Sequence, residues 1–596
     1  MPTKLAQLGY RRFDYQGRGS RAAGLALAPN VIWLRGPWPG YEPSVSSSEA
    51  TQGSALDCAG LMDRDGFLTQ QNGFAKLASA TLPLGGTSPP DVGSEEPVVC
   101  IAEGRDSTTQ AVQRYVITAD TAGNGRGHFY ELISGVWTEQ AFNNTSGGNA
   151  FTGDASDPAS TLADSAHFTA ANYTVFASGE QNNLLRFPGL TVADEYEQLA
   201  GLGALTNLGA NSICSAEERL LAFGTNEGST YYPTRFRWTS KGASGSFDPT
   251  STGAGFAEVA ELGGEAAAIR PIGPKIALYT TTGGMLVRRT GITTDAFAKD
   301  YQFPGRGLLS THSVCDVGNG IHFGLFTDGW FMLRYDGVWE ERGKVGSGSH
   351  KWRREFYGTL DWENRARIIT RYDENDHIVY IAFPQAGTSG NGPSVVWLYD
   401  TISDTCWPAP DWTKKPNCFG TIIEEASAGY TWATVPGTWS GGSGSWASFD
   451  STTGQRRVHH GTADGYVYYH HPALVEQDNV LPTYRYTTHY FSGEQPNKFR
   501  RVEAIHVNYN RVQADNGADP TPITLTYSNE NGTSETGSIL QTSGTVNTIQ
   551  TDFASPGVVS GVSHKVSLSG TAPVKITGVG IQVAGDSGSL RKEGST

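Results

Sequence analysis

Charge, cysteine and long apolar runs are all scarce in this chain of 596 residues. Only 17% of the residues are charged, and 59 Asp and Glu against 44 Lys and Arg give a formal net charge of −15. A nucleic-acid clamp needs clustered Lys and Arg to neutralise phosphates, so this balance disfavours that class of protein. No stretch approaches the about eighteen consecutive apolar residues of a membrane-spanning helix, so no membrane-spanning segment is predicted.

The six cysteines lie far apart, and no two have the Cys-x-x-Cys spacing of a zinc or redox site. They are Cys58, Cys100, Cys214, Cys315, Cys406 and Cys418. Each is expected to be a small buried hydrophobic residue, because a chain of this length can bury a core without disulfides or metals. A disulfide between Cys406 and Cys418 stays open, because spacing alone does not decide it.

Helical periodicity is also missing. Apolar residues nowhere repeat with a 3.6-residue period over twelve residues, and the best helical candidate, 193–200, would make only about two turns. The chain instead has 74 Gly, 29 Pro, 14 Trp, 25 Tyr and 25 Phe. Glycine and proline favour turns and aromatic residues favour strands, so the composition predicts many short strands joined by tight turns.

One pattern recurs between about residues 96 and 474: an apolar or aromatic strand, a turn with Gly or Asp, and a second aromatic strand. The clearest copies are at 173–187, 219–232, 275–289, 322–339 and 458–469. Four-stranded repeats of about 40–50 residues are typical of propeller blades, and the pattern predicts an irregular β-propeller of five to eight blades over 76–480.

The two ends of the chain differ from this central region. Residues 1–75 are predicted to be an extended N-terminal arm with turns at Gly36–Gly40 and Asp65-Gly66. Strands of clean period two over 481–585 predict an antiparallel β-sandwich, followed by a flexible tail at 586–596. Whether the arm and the sandwich form one platform stays open. The fold class is therefore all-β.

Motifs that carry chemistry are few. The sequence has no GxxxxGK[ST], GxSxG or HExxH motif. His459-His460 and His470-His471 are the densest histidine cluster, but neighbouring strand residues point to opposite faces, which favours packing over metal binding. Asp373–Asp376 is an acidic turn in which calcium is conceivable, although a solvated hairpin turn is favoured. No catalytic residue, cofactor site or metal site is therefore expected.

Two further groups of residues admit a second interpretation. Five tryptophans could form a sugar-binding platform, although packing between blades is favoured: Trp330, Trp339, Trp352, Trp397 and Trp407. The basic runs Lys351–Arg354 and Lys498–Arg501 could contact carboxylates of a neighbouring subunit or a phosphate backbone, while a solvated face is favoured.

Three stretches of the chain resemble the β-propeller nozzle proteins of short-tailed bacteriophages, the tail tubular proteins of the B type. The first runs from Pro39 to Phe74 and contains Asp63-Arg64-Asp65-Gly66-Phe67-Leu68; it closes with Gln71-Asn72-Gly73 where the family has Arg-x-Gly. The second runs from Gly324 to Trp407, and the third opens with Lys498–Val502. Together they span most of the chain.

The resemblance implies a structural virion protein that is not an enzyme and has no cofactor. It implies a homo-oligomeric ring, a homohexamer, which lies below the tail adaptor and retains and then conducts double-stranded DNA during ejection. Tail fibres are a further candidate partner. A weakly charged acidic surface would let DNA slide past. The polar segment Met1–Tyr15 has no apolar core of a signal peptide, so we expect synthesis in the host cytoplasm and a location in the virion tail.

Two other functions remain as alternatives. A carbohydrate-binding or carbohydrate-active propeller of a tail fibre would need a carboxylate pair about 5–10 Å apart and exposed aromatic residues at the propeller mouth. A monomeric interaction propeller is the third possibility.

Overall fold

A computed structural model of the protein describes the greater part of the chain, and every structural statement below concerns that part. The described residues are 30–35, 38–43, 50, 54–64, 67–77, 96–105, 112–119, 127–133, 136–142, 162–179, 183–187, 195–199, 205, 207–242, 246–292, 296–345, 349–390, 392–423, 456–471, 474, 476–478, 480–490, 500–510, 523–530, 534–539, 549–554, 560–561, 564–571 and 575–583. The turns expected at Gly36-Pro37 and Asp65-Gly66, Lys498-Phe499 of the second basic run, and the tail at 586–596 lie outside these ranges.

Nearly all of the regular structure is β-strand. The strands are, in chain order, β1 (Asn30–Arg35), β2 (Ala55–Ala59), β3 (Leu61–Arg64), β4 (Phe67–Gln70), β5 (Gly73–Lys76), β6 (Val98–Arg105), β7 (Val112–Ala119), β8 (Gly127–Ile133), β9 (Val136–Phe142), β10 (Asp164–Phe168), β11 (Tyr173–Ala177), β12 (Leu185–Phe187), β13 (Glu195–Gln198), β14 (Leu208–Ala216), β15 (Arg219–Glu227), β16 (Thr230–Trp238), β17 (Gly255–Glu258), β18 (Ala266–Ile272), β19 (Lys275–Thr280), β20 (Gly283–Arg289), β21 (Phe297–Pro304), β22 (Val314–Asp316), β23 (Ile321–Phe326), β24 (Gly329–Arg334), β25 (Trp339–Glu341), β26 (Lys344–Val345), β27 (Ser349–His350), β28 (Ile369–Asp373), β29 (Ile378–Phe383), β30 (Val395–Asp400), β31 (Thr405–Pro408), β32 (Pro416–Ile423), β33 (Arg456–Thr462), β34 (Val467–His471), β35 (Thr483–Thr488), β36 (Arg500–Asn510), β37 (Ile523–Asn529), β38 (Ser534–Ile539), β39 (Ile549–Ala554), β40 (Ser560–Gly561), β41 (His564–Thr571) and β42 (Lys575–Val583).

The described strands include seven four-stranded sheets that form propeller blades. Five are separate sheets, with strand orders β14–β17, β18–β21, β22–β25, β28–β31 and β32-β33-β34-β5. The other two, β6–β9 and β10–β13, are joined into one eight-stranded sheet by a short parallel pairing of β9 with β13. The first strand of each blade contacts the first strand of the next, and β32 contacts β6, so the ring of blades is closed. This confirms the predicted all-β fold with an irregular β-propeller.

Tight hairpins and interblade packing explain why these sequences form blades. The loop Glu217-Glu218 between β14 and β15 has two residues with φ of 56° each, the left-handed conformation that matches the twist of paired strands. Aromatic and aliphatic side chains of adjacent blades then fill the space between the sheets. One such cluster joins Phe236 and Trp238 of the third blade to Phe297 of the fourth.

We number the blades 1 to 7 from β6 onward, and blade 7 is completed by the N-terminal part of the chain. Its strands β32, β33 and β34 come from residues 416–471, while its outermost strand is β5. Gly73 of β5 pairs with His471 of β34 in an antiparallel register. Blade 7 therefore closes the ring by pairing strands from two distant parts of the sequence.

The remaining strands form a β-sandwich to which both chain ends contribute. One sheet has the order β3-β4-β42-β36-β39, with β1 also paired to β42 and β40 to β36; the other has the order β2-β35-β41-β37-β38. Strands β1, β2 and β4 of the arm therefore pair with strands of the C-terminal region, and β3 pairs with β4. This answers the question that the sequence leaves open, because the arm and the sandwich form one two-sheet body.

We call the contact between the arm and the outer edges of blades 6 and 7 the joint; it is made by Trp38–Tyr41, Ala55–Leu61 and Gln71–Phe74. Tyr41 donates its backbone N–H to the Cys406 carbonyl at 2.9 Å. These contacts belong to one large apolar core that continues from the sandwich into blades 5 and 6. The joint therefore fixes the sandwich against the propeller.

Helical structure is minor in the described residues. There is one α-helix, α1 (Arg353–Thr359), and two short 3₁₀-helices, Ala260–Leu262 and Arg365–Arg367. The segment with the best helical pattern, 193–200, instead contains strand β13, which completes blade 2. Among the residues described, no helix is long and apolar enough to cross a membrane.

Candidate functional site in the axial cavity

The inner strands of the seven blades surround a cavity of about 400 Å³, which we call the axial cavity. Strands β6, β10, β14, β18, β22, β28 and β32 all contribute to its wall. Concave sites on which several elements converge are the usual places for ligands, and strands from every blade converge here. The chemistry of the lining residues therefore decides what the cavity can bind.

Thiol and guanidinium groups alternate around part of the wall. Cys214, Arg270, Cys315 and Arg371 come from the inner strands of blades 3, 4, 5 and 6 in turn. Burial raises the pKa of Cys315 to about 12, and it also raises the pKa of Cys100 in blade 1 to about 12. Since the thiolate is the nucleophilic form, these thiols are neutral and unreactive at neutral pH.

The carboxylate of Asp164 holds three blades together at one side of the cavity. Its Oδ2 accepts hydrogen bonds from the Ser212 hydroxyl at 2.7 Å and from the backbone N–H of Ile213 at 3.1 Å. The same oxygen lies 2.7 Å from Nη1 of Arg270. Burial alone would raise the pKa of Asp164, but the charge of Arg270 and the hydrogen bonds from Arg270 and Ser212 outweigh it and hold this pKa below its usual value. Asp164 is therefore ionised and paired with Arg270.

Neutral histidines complete the polar groups around the cavity. Burial lowers the pKa of His312, which lines the cavity, to about 4, and it lowers the pKa of His322, behind the wall, to about 4 as well. Nε2 of His322 lies 2.8 Å from the Pro271 carbonyl, and Nδ1 lies 2.9 Å from the Tyr279 hydroxyl. These contacts fit a neutral ring that donates from Nε2 and accepts at Nδ1. His322 thus links blades 4 and 5.

The histidine cluster found in the sequence lies in blade 7, away from the axial cavity. His459 and His460 point to opposite sides of β33, as expected, but one member of each pair meets the other: Nδ1 of His460 lies 2.9 Å from Nε2 of His470. Both rings pack around Phe74 of the arm. Burial lowers the pKa of His460 to about 3 and that of His470 well below its usual value, so both are neutral packing groups.

The acidic turn at Asp373–Asp376 also contacts the arm. Asp376 Oδ2 accepts a hydrogen bond from Nδ2 of Asn72 at 2.6 Å and lies 3.6 Å from Nη2 of Arg64. Asp373 Oδ1 accepts the backbone N–H of Asn375 at 2.9 Å, as in an ordinary hairpin turn. Within the part of the chain that the structure describes, no group of three His, Cys, Asp or Glu side chains could hold a metal ion.

The remaining residues singled out in the sequence lie in the core or near it. All six cysteines are buried and free, so Cys406 and Cys418 form no disulfide: Cys406 is in the joint and Cys418 lines the axial cavity. Four of the five tryptophans are 1–4% exposed and pack between sheets; Trp339 is half-buried. In the first basic run, Lys351 donates to the Asp404 carbonyl at 3.0 Å.

Sequence reasoning missed the residues of the axial cavity. Cys214, Arg270, Cys315 and Arg371 each lie near the end of an inner strand, shortly before the turn to the next strand. A signal was present, because charged or thiol side chains interrupt otherwise apolar strands at these places. To use this signal, one must know which strands are the inner strands of blades. The degenerate repeats do not define the blade boundaries.

No protein-family model matches the chain, and no curated protein is similar to it. Among solved structures, the exo-β-1,3-galactanase of Phanerochaete chrysosporium with galactose is 10% identical; the match covers 85% of this chain and 100% of that one, with a TM-score of 0.23. PorZ of the Porphyromonas gingivalis type IX secretion system is 11% identical, with 80% and 57% covered and a TM-score of 0.37. The dihydro-heme d1 dehydrogenase NirN is 10% identical, with 55% and 59% covered and a TM-score of 0.31.

These matches contradict the expectation that the chain is not an enzyme. The galactanase and the dehydrogenase are enzymes by name, so an all-β propeller without familiar catalytic motifs is no ground for excluding catalysis. That expectation was wrong because it rested on the resemblance to nozzle proteins and on missing motifs, and neither excludes catalysis. At these identities and TM-scores the likeness concerns the fold alone and brings no activity, substrate or cofactor to this chain.

Proposed function

We propose that the protein is a subunit of the tail nozzle of a short-tailed bacteriophage, located in the virion tail. Copies of the chain form a ring, a homohexamer, that binds the tail adaptor, retains the genome, and conducts double-stranded DNA during ejection. Tail fibres are possible further partners. The observation that carries this proposal is the position of the three stretches that resemble nozzle proteins.

The first two of those stretches are far apart in sequence but are neighbours at the joint, and the third begins at β36 of the sandwich. The first supplies most of the arm residues of the joint, and the second supplies most of blade 5 and blade 6, including β31 as far as Trp407. Gly60 of the first donates its backbone N–H to the Pro408 carbonyl, immediately after the second, at 3.1 Å. Gln71 stands where the family phrase Arg-x-Gly has Arg. Its side-chain Nε2 donates to the same carbonyl at 2.9 Å. The resemblance therefore coincides with one structural unit, which supports a shared architecture.

The size of the axial cavity determines where DNA could pass. A volume of about 400 Å³ is that of a small-molecule site, at the lower end of the roughly 300–1,000 Å³ of ligand pockets. A DNA duplex, whose major groove alone is about 12 Å wide, does not fit inside one propeller. In the proposed nozzle the DNA path must therefore lie between copies of the chain, in the lumen of the ring.

The sandwich offers a surface for ring formation. In the described part of the sandwich, β38 and β39 are the outermost strands of the two sheets, and they contact each other on one side. Outer strands carry unpaired backbone donors and acceptors that a second chain can use, and head-to-tail contacts of this kind close into rings. We place the subunit contact at β38 and β39.

The test is negative-stain imaging of the purified chain together with its mass by light scattering, alone and with adaptor and portal. A ring with an axial opening is expected. Thr536→Lys, at an exposed position of β38, should weaken the ring, whereas the matched variant Thr230→Lys, at an exposed position of blade 3, should leave it intact. A chain that stays monomeric in the presence of adaptor and portal would overturn the proposal.

A further inference from the structure

The axial cavity contains more cationic groups than its buried carboxylate neutralises. Arg270, Arg371 and Arg456 line it, and Asp164 is the carboxylate paired within it. Arg456 lies 4.0 Å from Glu103, and its side chain is 51% exposed, so it stands at the mouth. Two of the three guanidinium groups therefore already have carboxylate partners.

Arg371 is the exception. Its Nε donates a hydrogen bond to the Thr421 hydroxyl, but no carboxylate of the described residues lies within 4 Å of its guanidinium. Burial, together with the nearby charges of Arg270 and Arg456, lowers the pKa of Arg371, although a guanidinium remains protonated at any ordinary pH. A half-buried cation without a counter-ion is costly, and an anion in the cavity would relieve that cost.

The groups around Arg371 define what such an anion can be. The neighbouring thiols Cys100 and Cys315 are neutral, as is His312, so none of them competes as a counter-ion. A guanidinium binds carboxylate and phosphate oxygens through two parallel N–H donors. Asp316 and Glu374 line the cavity at exposed positions, where their charges repel large polyanions.

We propose that the axial cavity is a binding site for one small oxyanion, a carboxylate or phosphate group, whose principal ligand is the guanidinium of Arg371. Arg270 remains paired with Asp164 and contributes only the long-range electrostatic attraction of its charge. The cavity of about 400 Å³ has room for a ligand of the size of a monosaccharide, so a sugar carboxylate fits as well as a free ion. The site is independent of the nozzle proposal, since it lies within a single propeller.

The proposal is tested by calorimetric titration of the full chain with sodium phosphate, sodium acetate and sodium glucuronate at constant ionic strength. Saturable binding of one equivalent of at least one of them is expected. Binding of glucuronate but not of the free ions would identify the ligand as a sugar carboxylate, and the reverse order would identify a free anion. Absence of saturable binding for all three would overturn the proposal.

Variants separate a specific site from general charge. Arg371→Met should lower affinity by about tenfold or more, because the charged donors are lost. Arg354→Met removes an exposed arginine outside the cavity and should leave affinity unchanged. Removing an unpaired buried charge is not expected to unfold the chain. If Arg371→Met fails to fold, Arg371→Lys serves as the second variant. It keeps the charge but loses the two parallel N–H donors of the guanidinium, so it should also weaken binding. Equal affinity of the wild type and the folded Arg371 variant would overturn the proposal.

Discussion

The joint and the axial cavity are both buried, but they are built in opposite ways. At the joint, Phe74 is surrounded by aromatic and imidazole rings at 4.9–5.6 Å, all of them neutral. In the axial cavity, Asp164 and Arg270 are ionised and depend on each other. The stability of the joint therefore rests on shape, whereas that of the cavity rests on pairing of charges. This difference predicts which substitutions each region tolerates.

The largest effect is expected from breaking the charge pair of the cavity. Asp164→Ala leaves Arg270 buried without a carboxylate and removes hydrogen bonds that link blades 2, 3 and 4, which should cost about 3–5 kcal/mol of unfolding free energy. Urea denaturation measures it. The double variant Asp164→Ala/Arg270→Met should recover part of the loss. The exposed pair Lys299 and Glu261 supplies a control, since Glu261→Ala should cost less than about 1 kcal/mol.

A loss of no more than about 1 kcal/mol of unfolding free energy for Asp164→Ala would show that water in the cavity solvates Arg270 well enough without a carboxylate partner. The contrast between the two regions would then disappear.

The second effect concerns shape at the joint. Gly60 has a φ of 74°, and a Cβ there would lie 2.6 Å from the Thr483 carbonyl oxygen, which is backbone and cannot move aside alone. Gly60→Ala should therefore cost about 2–4 kcal/mol of unfolding free energy. The matched control is Gly291→Ala, with a φ of 81° and open space around the Cβ, which should cost only about 1–2 kcal/mol. Equal losses in denaturation would contradict the close fit between Gly60 of the joint and strand β35 of the sandwich.

The third effect is on pH dependence, and it comes from the neutral histidine pair. The folded-state pKa of His460 is about 3, against an ordinary value of 6.5. The unfolded chain therefore binds a proton that the folded chain does not, and stability present above pH 6.5 is lost as the pH falls toward 3. By pH 5 this amounts to about 2 kcal/mol for one such histidine.

Urea denaturation of the wild type and of His460→Asn at pH 7 and pH 5 measures this loss. The variant should lose less stability on acidification than the wild type. His377→Asn is the control: His377 is exposed and has a φ of 56°, a conformation that asparagine tolerates. An identical pH dependence for His460→Asn and the wild type would contradict a buried neutral pair.

The smallest perturbation tests the thiols of the cavity without altering the fold. Raising the pKa of Cys315 from 9.0 to about 12 lowers its thiolate fraction about a thousandfold at neutral pH. The native chain should therefore react very slowly with a thiol-specific disulfide reagent, and all six cysteines should react after unfolding. Ile402→Cys, at a position that is 72% exposed, is the positive control and should react at once. Rapid labelling of the native wild type would show that the cavity opens in solution.

Local features of the fold were predictable from the sequence, and long-range features were not. The predicted hairpins at 219–232, 275–289 and 458–469 correspond to strand pairs β15–β16, β19–β20 and β33–β34. They were visible because alternation and turn residues lie within about twenty residues of each other. The pairing of β5 with β34 and of β1 with β42 has no local signature. For the same reason the axial cavity, which needs all seven inner strands, could not be assembled beforehand.

The closure of blade 7 by β5 also determines when the N-terminal strands can pair during synthesis of the chain. Gly73 leaves the ribosome roughly 400 residues before its partner His471 does. At about 5–20 residues per second, the N-terminal strands wait ~20–80 s before they can pair. Over that interval, blades 1 to 6 can fold in order while the arm has no sheet to join. Pairing of the N-terminal stretch is therefore the last step of folding. Until it occurs, nascent chains are expected to be accessible to proteases and chaperones.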